Sequence, residues 1–246
     1  MKLALRTELL KLRTTKTVLG LVAAMVGLVL VAVILHALGL PLARVSTSTG
    51  QLMVLLEGGA TIGVLFAGLL GALSLTGEFR HGTIRPTFLA MPQRGRVLAA
   101  KAVTSVVVGA ALGLMAAGVA AAVGSAAMAG RGAAIHLGSN DYTRLLLGGA
   151  AGAALMAAIG LGVGALVRNQ VAAVVGMFVW LLFVENILAD SVPSVSRYMP
   201  GALARALAGN RSGQLHSVPL ALLLLVAYAA AIAVTGWRTT LRRDVA

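Results

Sequence analysis

The sequence predicts an all-α membrane protein in which six helices cross a bilayer as one bundle. Hydrophobic residues make up 59% of the 246-residue chain and charged residues only 11%, whereas ordinary soluble domains carry about 25% charged residues. The mean hydropathy is +0.95. Several stretches of about 18 residues or more carry almost no charge, which is the length that an α-helix needs to cross the hydrocarbon core. Residues 1–246 are therefore predicted to form a single transmembrane domain.

The predicted spans are separated by polar or glycine-rich connections. They cover approximately Val18–Leu40, Leu52–Thr76, Val97–Met128, Leu145–Val167, Val171–Ala189 and Val218–Trp237. Residues 190–217 form the longest predicted outer segment. Within it, Pro200–Ala208 is apolar enough for a short re-entrant or surface helix, which Gly209 and Asn210 would end.

Residues 1–16 precede the first span and combine apolar with basic residues. Leu5, Leu9 and Leu12 follow a helical spacing, and lysines and arginines lie elsewhere around the helix. This pattern predicts a short amphipathic helix in the membrane interface. The alternative is a plain extension of the first span.

The charge distribution orients the predicted bundle. The chain carries 20 Lys and Arg against 7 Asp and Glu, a formal net charge of +13. If the N-terminus is inside, the inner segments hold more than twice as many basic residues as the outer ones. The positive-inside rule therefore predicts that both termini lie on the cytoplasmic side of a bacterial plasma membrane. Charges at the ends of apolar segments favour contact with lipid headgroups rather than with nucleic acid.

Several kinds of chemistry are excluded by what the sequence lacks. There is no cysteine and no Gly-Lys dipeptide, so thiol chemistry and a phosphate-binding loop of the GxxxxGK[ST] type are absent. The four histidines fall in different segments, which argues against a metal cluster. The chain alone is therefore predicted to be no enzyme, with neither catalytic residues nor a metal site.

The stretch Gly77–Lys101 is the one long polar interruption between two very apolar runs. It holds five of the 20 basic residues but a single acid, Glu78. Gly82 is expected to break the helix of the second span, and Thr83 to cap a new helix.

The predicted new helix has a narrow apolar stripe with a basic flank. Ile84, Phe88 and Met91 lie at i, i+4 and i+7, and Arg85 lies beside them. One interpretation is a helix that rests on the inner leaflet. The other is a helix that docks into a groove of a cytoplasmic protein. The residue pattern alone does not choose between them.

Three parts of the sequence resemble the permeases of bacterial type-2 ABC exporters. The run EFRHGTIRPTFLAMPQRGRVLAAK contains an acid, a Gly-Thr pair, a short helix, a Pro-x-Arg and a Lys that opens the next span. The N-terminal LRTELLKLRTTK is similar to the interfacial helix of that family. The region from Arg168 to Gly201 is similar to its turn between spans four and five, its fifth span and its outer re-entrant region. The resemblance covers nearly the whole chain.

The resemblance implies a division of labour between chains. Two permease subunits, identical or different, would form the pathway, and two separate cytoplasmic ATPases would bind ATP and Mg²⁺, so no cofactor is expected here. The segment Thr83–Met91 would be the coupling helix that receives ATPase movement. The docking residues that the resemblance implies are Glu78, Arg80, Gly82, Thr83, Ile84, Arg85, Phe88 and Met91.

Two acids fall inside predicted spans, near their outer ends. Glu57 lies in the second span and Glu185 in the fifth. Carboxylates in the membrane are costly and usually paired. Either they pair with outer arginines such as Arg197 or Arg205, or reach water, or they line the pathway and favour cationic or amphipathic cargo.

Two functions outside ATP-driven export also fit the composition. One is a membrane scaffold or sensor that recruits a cytoplasmic partner through Gly77–Lys101 and transports nothing. The other is a secondary transporter driven by an ion gradient, with Glu57 or Glu185 as its proton site.

Overall fold

The computed structural model describes residues 6–8, 10–11, 15–39, 49–84, 86, 89, 93–133, 136–209 and 215–242. These parts of the chain are helices joined by short turns, without a β-strand among them. Six helices are long and apolar enough to cross a membrane, which confirms the predicted fold class. Spans 1 to 6 are Lys16–Gly39, Leu52–Arg80, Gly95–Gly130, Ser139–Val167, Gln170–Ser191 and Val218–Thr239.

Three of these spans belong to longer helices, which run over Thr49–Arg80, Arg94–Gly130 and Val218–Arg242. Within the N-terminal segment, residues 6–8, 10 and 11 are helical, and the other residues of the predicted interfacial helix before Thr15 lie outside the described ones. We call the end of the bundle with this segment and the connection between spans 2 and 3 the proximal end. The opposite end is the distal end.

Span 2 continues past its predicted end at Thr76 to Arg80, one further turn. The helix then ends because Gly82 takes a left-handed conformation with φ of +66°. The amide of Gly82 donates to the carbonyl of Phe79 at 3.3 Å, and that of Thr83 to the carbonyl of Glu78 at 3.0 Å. These are the two hydrogen bonds of a Schellman motif, so the predicted helix break at Gly82 is present.

Spans 2 and 4 form the centre of the bundle. Of the most apolar window of each span, 78% of span 2 and 56% of span 4 are buried, against 17% for spans 1, 5 and 6. Small residues allow the central helices to approach closely. A Cβ at Gly71 would collide with the backbone of Ala157, and one at Gly113 with the backbone of Gly149. Glycine at these two positions therefore permits the close approach of the central helices.

A two-residue turn joins spans 4 and 5, between which the predicted spans left three residues. Arg168 adopts a left-handed conformation with φ of 57°. The side chain of Asn169 then caps the next helix, because its Oδ1 accepts from the Ala172 amide at 3.0 Å.

Span 5 is interrupted before the distal end by one π-helical turn, Trp180–Val184, which is followed by the helix Glu185–Ser191. A short helix, Pro193–Ser196, leads to Pro200–Leu207. The latter, here called the distal helix, matches the predicted Pro200–Ala208 element and is largely buried against spans 2, 4 and 6. Gly209 follows it with φ of +99°.

Candidate functional site

Four charged side chains from three parts of the chain form an ion cluster at the proximal end. Glu8 and Lys11 come from the N-terminal segment, Glu78 from the last turn of span 2, and Lys101 from the start of span 3. We call this group the proximal ion cluster. It ties the N-terminal segment to the two spans that flank the central polar stretch.

The two lysines share the two carboxylates. Lys101 Nζ donates to Glu78 Oε1 at 2.8 Å and to Glu8 Oε2 at 2.9 Å. Lys11 Nζ donates to the same Glu78 Oε1 at 2.7 Å and to Glu8 Oε1 at 3.1 Å. A third bond joins Lys101 Nζ to the carbonyl oxygen of Ser74 at 3.3 Å. The cluster therefore balances two positive with two negative charges.

Burial makes this balance necessary. The side chain of Lys101 is only 1% exposed, and an unpaired ammonium in such a place would be strongly destabilising. Lys11 lies nearer the surface. Its partial burial alone would lower the pKa of Lys11, but hydrogen bonding and charge from Glu78 and Glu8 outweigh that effect and raise the pKa above its ordinary value.

The connection after span 2 has one apolar residue packed inside the bundle and another exposed outside it. Ile84 is 3% exposed and belongs to a small apolar cluster with residues of spans 2, 3 and 4, among them Leu75, Val97 and Leu161. Leu89, five residues further, is 82% exposed. Residues 84, 86 and 89 are helical, as the prediction of a short helix requires.

The structure separates the predicted docking residues into two environments. Glu78 and Ile84 are buried, whereas Arg80, Gly82 and Thr83 are exposed. Arg80 Nη1 also donates to Gln170 Oε1 at 3.4 Å, which connects the end of span 2 with the start of span 5. The other three predicted docking residues, Arg85, Phe88 and Met91, lie outside the described residues.

The turn between spans 4 and 5 also contacts the proximal end of span 2. The guanidinium carbon of Arg168 lies 5.3 Å from the ring centre of Phe79, a cation–π distance. Arg168 Nη2 donates to the carbonyl of Thr239 in span 6 at 3.3 Å. These contacts would therefore transmit a movement at the end of span 2 to spans 4, 5 and 6.

A cavity of about 720 Å³ opens beside the proximal ion cluster. Its polar lining includes the four cluster residues. The apolar lining comes from spans 1 and 2: Val18, Leu21, Leu70 and Leu73. Thr83 and Pro86 of the connection and Gln170 of span 5 also line it.

At the distal end, Glu185 holds the distal helix. Its carboxylate accepts hydrogen bonds from the amides of Gly201 at 3.0 Å and Ala202 at 3.2 Å, which lie in the first turn of that helix. Trp180 Nε1 donates to it as well, at 3.1 Å. A Cβ at Gly201 would collide with this carboxylate, so a larger residue there would displace it from its present position.

This arrangement is a structural use of Glu185, since a carboxylate at a helix N-terminus satisfies amides that have no partner within the helix. Arg205 of the distal helix also interacts electrostatically with the carboxylate. Glu57 is buried in span 2 at 3% exposure. Whether either acid lines a pathway stays a prediction.

Sequence reasoning gave no role to Glu8 or Lys11. A signal was present, because Glu8 is the single acid in residues 1–16, just as Glu78 is the single acid of Gly77–Lys101. Two lone acids in basic segments are candidates for partners of the same cations. What the sequence could not supply was that the fold brings both to Lys101.

Comparison with known proteins agrees with this architecture. Residues 4–184 match the family described as ABC-2 family transporter protein. The matched region contains the whole proximal ion cluster, the connection between spans 2 and 3, and spans 1 to 4. No curated protein matches the chain. With most of its length matched and six apolar helices in one bundle, the chain belongs to the ABC-2 transporter family and is a permease subunit of an ABC transporter.

Proposed function

We propose that this permease is an exporter subunit that works as a dimer in a bacterial plasma membrane. Its proximal end faces the cytoplasm, with both chain termini on that side. Two separate ATPase subunits, which bind ATP and Mg²⁺, dock on the connection between spans 2 and 3 and drive cargo outward. The excess of basic residues in the predicted inner segments supports this orientation.

The observation that carries the proposal is the contrast between Ile84 and Leu89. Ile84 is packed among residues of spans 2, 3 and 4, and Leu89 is the most exposed large apolar side chain of the described residues. A helix with one residue anchored in the bundle and another presented outside is suited to docking in a partner's groove. Force on its exposed side would reach three spans through its buried side.

The proximal ion cluster supplies a second mechanical attachment. Glu78 lies in the last turn of span 2, directly before the connection, and is paired with Lys101 and Lys11. A displacement of the connection therefore carries the N-terminal segment and the start of span 3 with it. We infer that ATPase closure moves the N-terminal segment, the end of span 2, the connection and the start of span 3 as one unit, here called the proximal layer. This movement would shift the two permease subunits by rigid-body motion.

Copurification of the permease with its native neighbours tests the ATPase partnership. We expect a soluble protein carrying GxxxxGK[ST] in the complex. Leu89→Asp should remove that protein, because it places a charge on the docking face, while the thermal midpoint of the permease stays unchanged. His136→Asp, an exposed residue of the distal end, serves as the matched control. Recovery of the permease without an ATPase would argue for the scaffold function.

Spin labelling tests the dimer and the coupling together. The native chain has no cysteine, so His136→Cys provides the only label site of this chain. We expect one distance between two labelled subunits, which changes when an ATP analogue binds the partner. Ile84→Ala should retain the ATPase but reduce the change. A distance that ignores the nucleotide, with transport that responds to an uncoupler instead, would favour a secondary transporter.

A further inference from the structure

The proximal end has a net positive charge beyond its ion cluster. The described acids of this end are Glu8 and Glu78, and both are paired with the two lysines of the cluster. The other described acids lie towards the distal end: Glu57, Asp141, Glu185 and Asp190. The proximal end carries these further described basic residues: Arg6, Lys16, Arg80, Arg96, Arg168 and Arg238.

Two of these arginines meet where the end of span 2 contacts the turn between spans 4 and 5. Arg80 Nη1 donates to Gln170 Oε1 at 3.4 Å. The guanidinium carbon of Arg168 lies 5.3 Å from the ring centre of Phe79, the residue next to Arg80. Two positive charges are thus held at one helix junction, although spans 3 and 4 separate them in the chain. We call this pair the arginine junction.

The side chain of Arg80 is accessible to a ligand. Arg80 is exposed and Arg168 is partly exposed. A guanidinium has five N–H donors, and the described hydrogen bond of Arg80 to Gln170 uses one of them on an uncharged amide. Like charges in one place repel each other, so an anion at the arginine junction would be favourable.

The turn sets the level of the arginine junction in the membrane. Only Arg168 and Asn169 lie between spans 4 and 5, so the turn cannot extend far from the bilayer surface. Val167 before it and Val171 after it are 43% and 65% exposed, which suits contact with acyl chains. Arg168 therefore lies at the level of the headgroups, and the hydrogen bond to Gln170 holds Arg80 beside it.

Phosphate is the anion that both the donors and the location favour. Guanidinium groups bind phosphate through charge and parallel N–H···O hydrogen bonds, and basic sites between spanning helices accept anionic headgroups. We propose that the arginine junction binds the phosphate of an anionic phospholipid, whose acyl chains lie along Val167 and Val171. The bound lipid would connect the end of span 2 with the start of span 5.

The exposed apolar side chains favour a lipid over other anions. A free phosphate ester has the same charge but no chain to cover Val167 and Val171. An acidic protein surface would have to reach the headgroup level beside these side chains, where burial of charged groups is costly. This binding site goes beyond the proposed transport function and does not depend on it.

Native mass spectrometry of the full chain tests the proposal. The protein is released from nanodiscs of phosphatidylcholine that contain about one fifth phosphatidylglycerol, and the lipids that stay bound are identified. We expect the wild type to retain phosphatidylglycerol in preference to phosphatidylcholine. Because one arginine near the membrane surface contributes about 1 kcal/mol to the binding of anionic lipid, Arg80→Gln should lower this preference about fivefold.

Two variants serve as controls for charge and position. Arg80→Lys keeps the positive charge but not the planar guanidinium, and should retain part of the preference. Arg144→Gln removes the same charge from an exposed arginine at the distal end and should leave the preference unchanged. An equal preference in wild type and Arg80→Gln would overturn the proposal. So would an equal loss in Arg80→Gln and Arg144→Gln, because binding would then be a diffuse attraction of charge.

Two further measurements distinguish the source of the phosphate. We expect millimolar glycerol phosphate neither to displace the retained phosphatidylglycerol nor to raise the thermal midpoint in pure phosphatidylcholine nanodiscs. If it does both, the arginine junction takes a free phosphate ester and the lipid proposal fails. The proposal also fails if Arg80→Gln abolishes copurification of the ATPase and leaves lipid retention unchanged. Lipid retention is measured without an ATPase or a transport step, so failure of the exporter proposal would not alter it.

Discussion

Lys101 and Glu78 join the start of span 3 to the end of span 2 through a 2.8 Å ion pair. The two residues are 23 positions apart, and the connection that we propose as the ATPase docking element lies between them. The ion pair therefore holds together the two helix ends that flank this connection. Any force applied to the connection acts on two spans that are clamped together.

Loss of the cation at this base should destabilise the permease. Lys101→Met removes the charge that Glu8 and Glu78 share, while its side chain still fills the buried space. Because breaking a buried ion pair leaves uncompensated charge, we expect a loss of about 3–5 kcal/mol of stability. The thermal midpoint of the purified protein measures it.

The control for this change is Lys16→Met, since Lys16 is an exposed lysine outside the cluster. It should leave the midpoint unchanged. Adding Glu8→Gln to Lys101→Met restores charge balance and should recover part of the loss. If the double variant is less stable than Lys101→Met alone, the cluster does not work as a balanced unit.

The contribution of Lys11 should disappear only at high pH. Its pKa is raised above the ordinary value of 10.5 by Glu78 and Glu8, against the opposing effect of burial. A group whose pKa is higher in the folded state stabilises fully below its unfolded pKa, and this stabilisation is lost as pH rises through the folded pKa. The midpoint difference between wild type and Lys11→Met should thus be constant from neutral pH upward and shrink above about pH 10.5.

Thermal unfolding at a series of pH values checks this expectation. The other charged groups that face Lys11 are Glu8, Glu78 and, across them, Lys101. Lys101→Met therefore serves as the comparison, because that variant keeps Lys11 and should retain its high-pH loss. A difference that shrinks below pH 9 would show that the raised pKa is not the source.

Glu185 should matter for local order at the distal end. Glu185→Gln retains one acceptor oxygen but replaces the other with an amide, so one of the Gly201 and Ala202 amides loses its acceptor. We expect a cost of about 1–3 kcal/mol and faster hydrogen exchange in the distal helix, measured by mass spectrometry. Asp190→Asn, an exposed acid in the same region, should leave exchange unchanged.

The same variant distinguishes the two interpretations of this acid. If Glu185 lines a pathway, the substitution should alter transport while hydrogen exchange in the distal helix stays as in the wild type. If Glu185 anchors the helix, exchange and stability change first. The three N–H donors around its carboxylate favour the second result.

Local signals explain which features of the fold were predictable. The spans follow from runs of apolar residues, the end of span 2 from Gly82, and the distal helix from Pro200 and Gly209, all of which act within a few residues. The end of span 2 was predicted one turn too early, at about Thr76, because Glu78 was assigned to the polar stretch that follows the span. Its burial is only possible with Lys101 and Lys11 as partners.

The candidate site was less predictable because it depends on distant residues. Glu8 and Lys101 are 93 positions apart, and Lys11 and Glu78 are 67 apart. Periodicity and turn chemistry carry no information on such pairs. The lone acids in two basic segments were the one local hint, and they indicate a partner without naming it.

The close crossing of spans 2 and 4 gives a further prediction. Gly71 faces the backbone of Ala157, where a Cβ would collide with a carbonyl group. Gly71→Ala should therefore separate the two central helices and destabilise the protein by about 1–3 kcal/mol. Gly58→Ala is a matched control in the same span, since no atom lies within 4 Å of its Cβ position. That change should be neutral or slightly stabilising, because alanine favours the helix over glycine.

Thermal midpoints of the two variants in the same detergent decide the matter. A loss for Gly71→Ala with none for Gly58→Ala locates the requirement for small residues at the helix crossing rather than in helix propensity. Equal losses would mean that glycine serves the flexibility of span 2 along its whole length. In that case span 2 would bend, and the proximal layer would not move as a rigid unit.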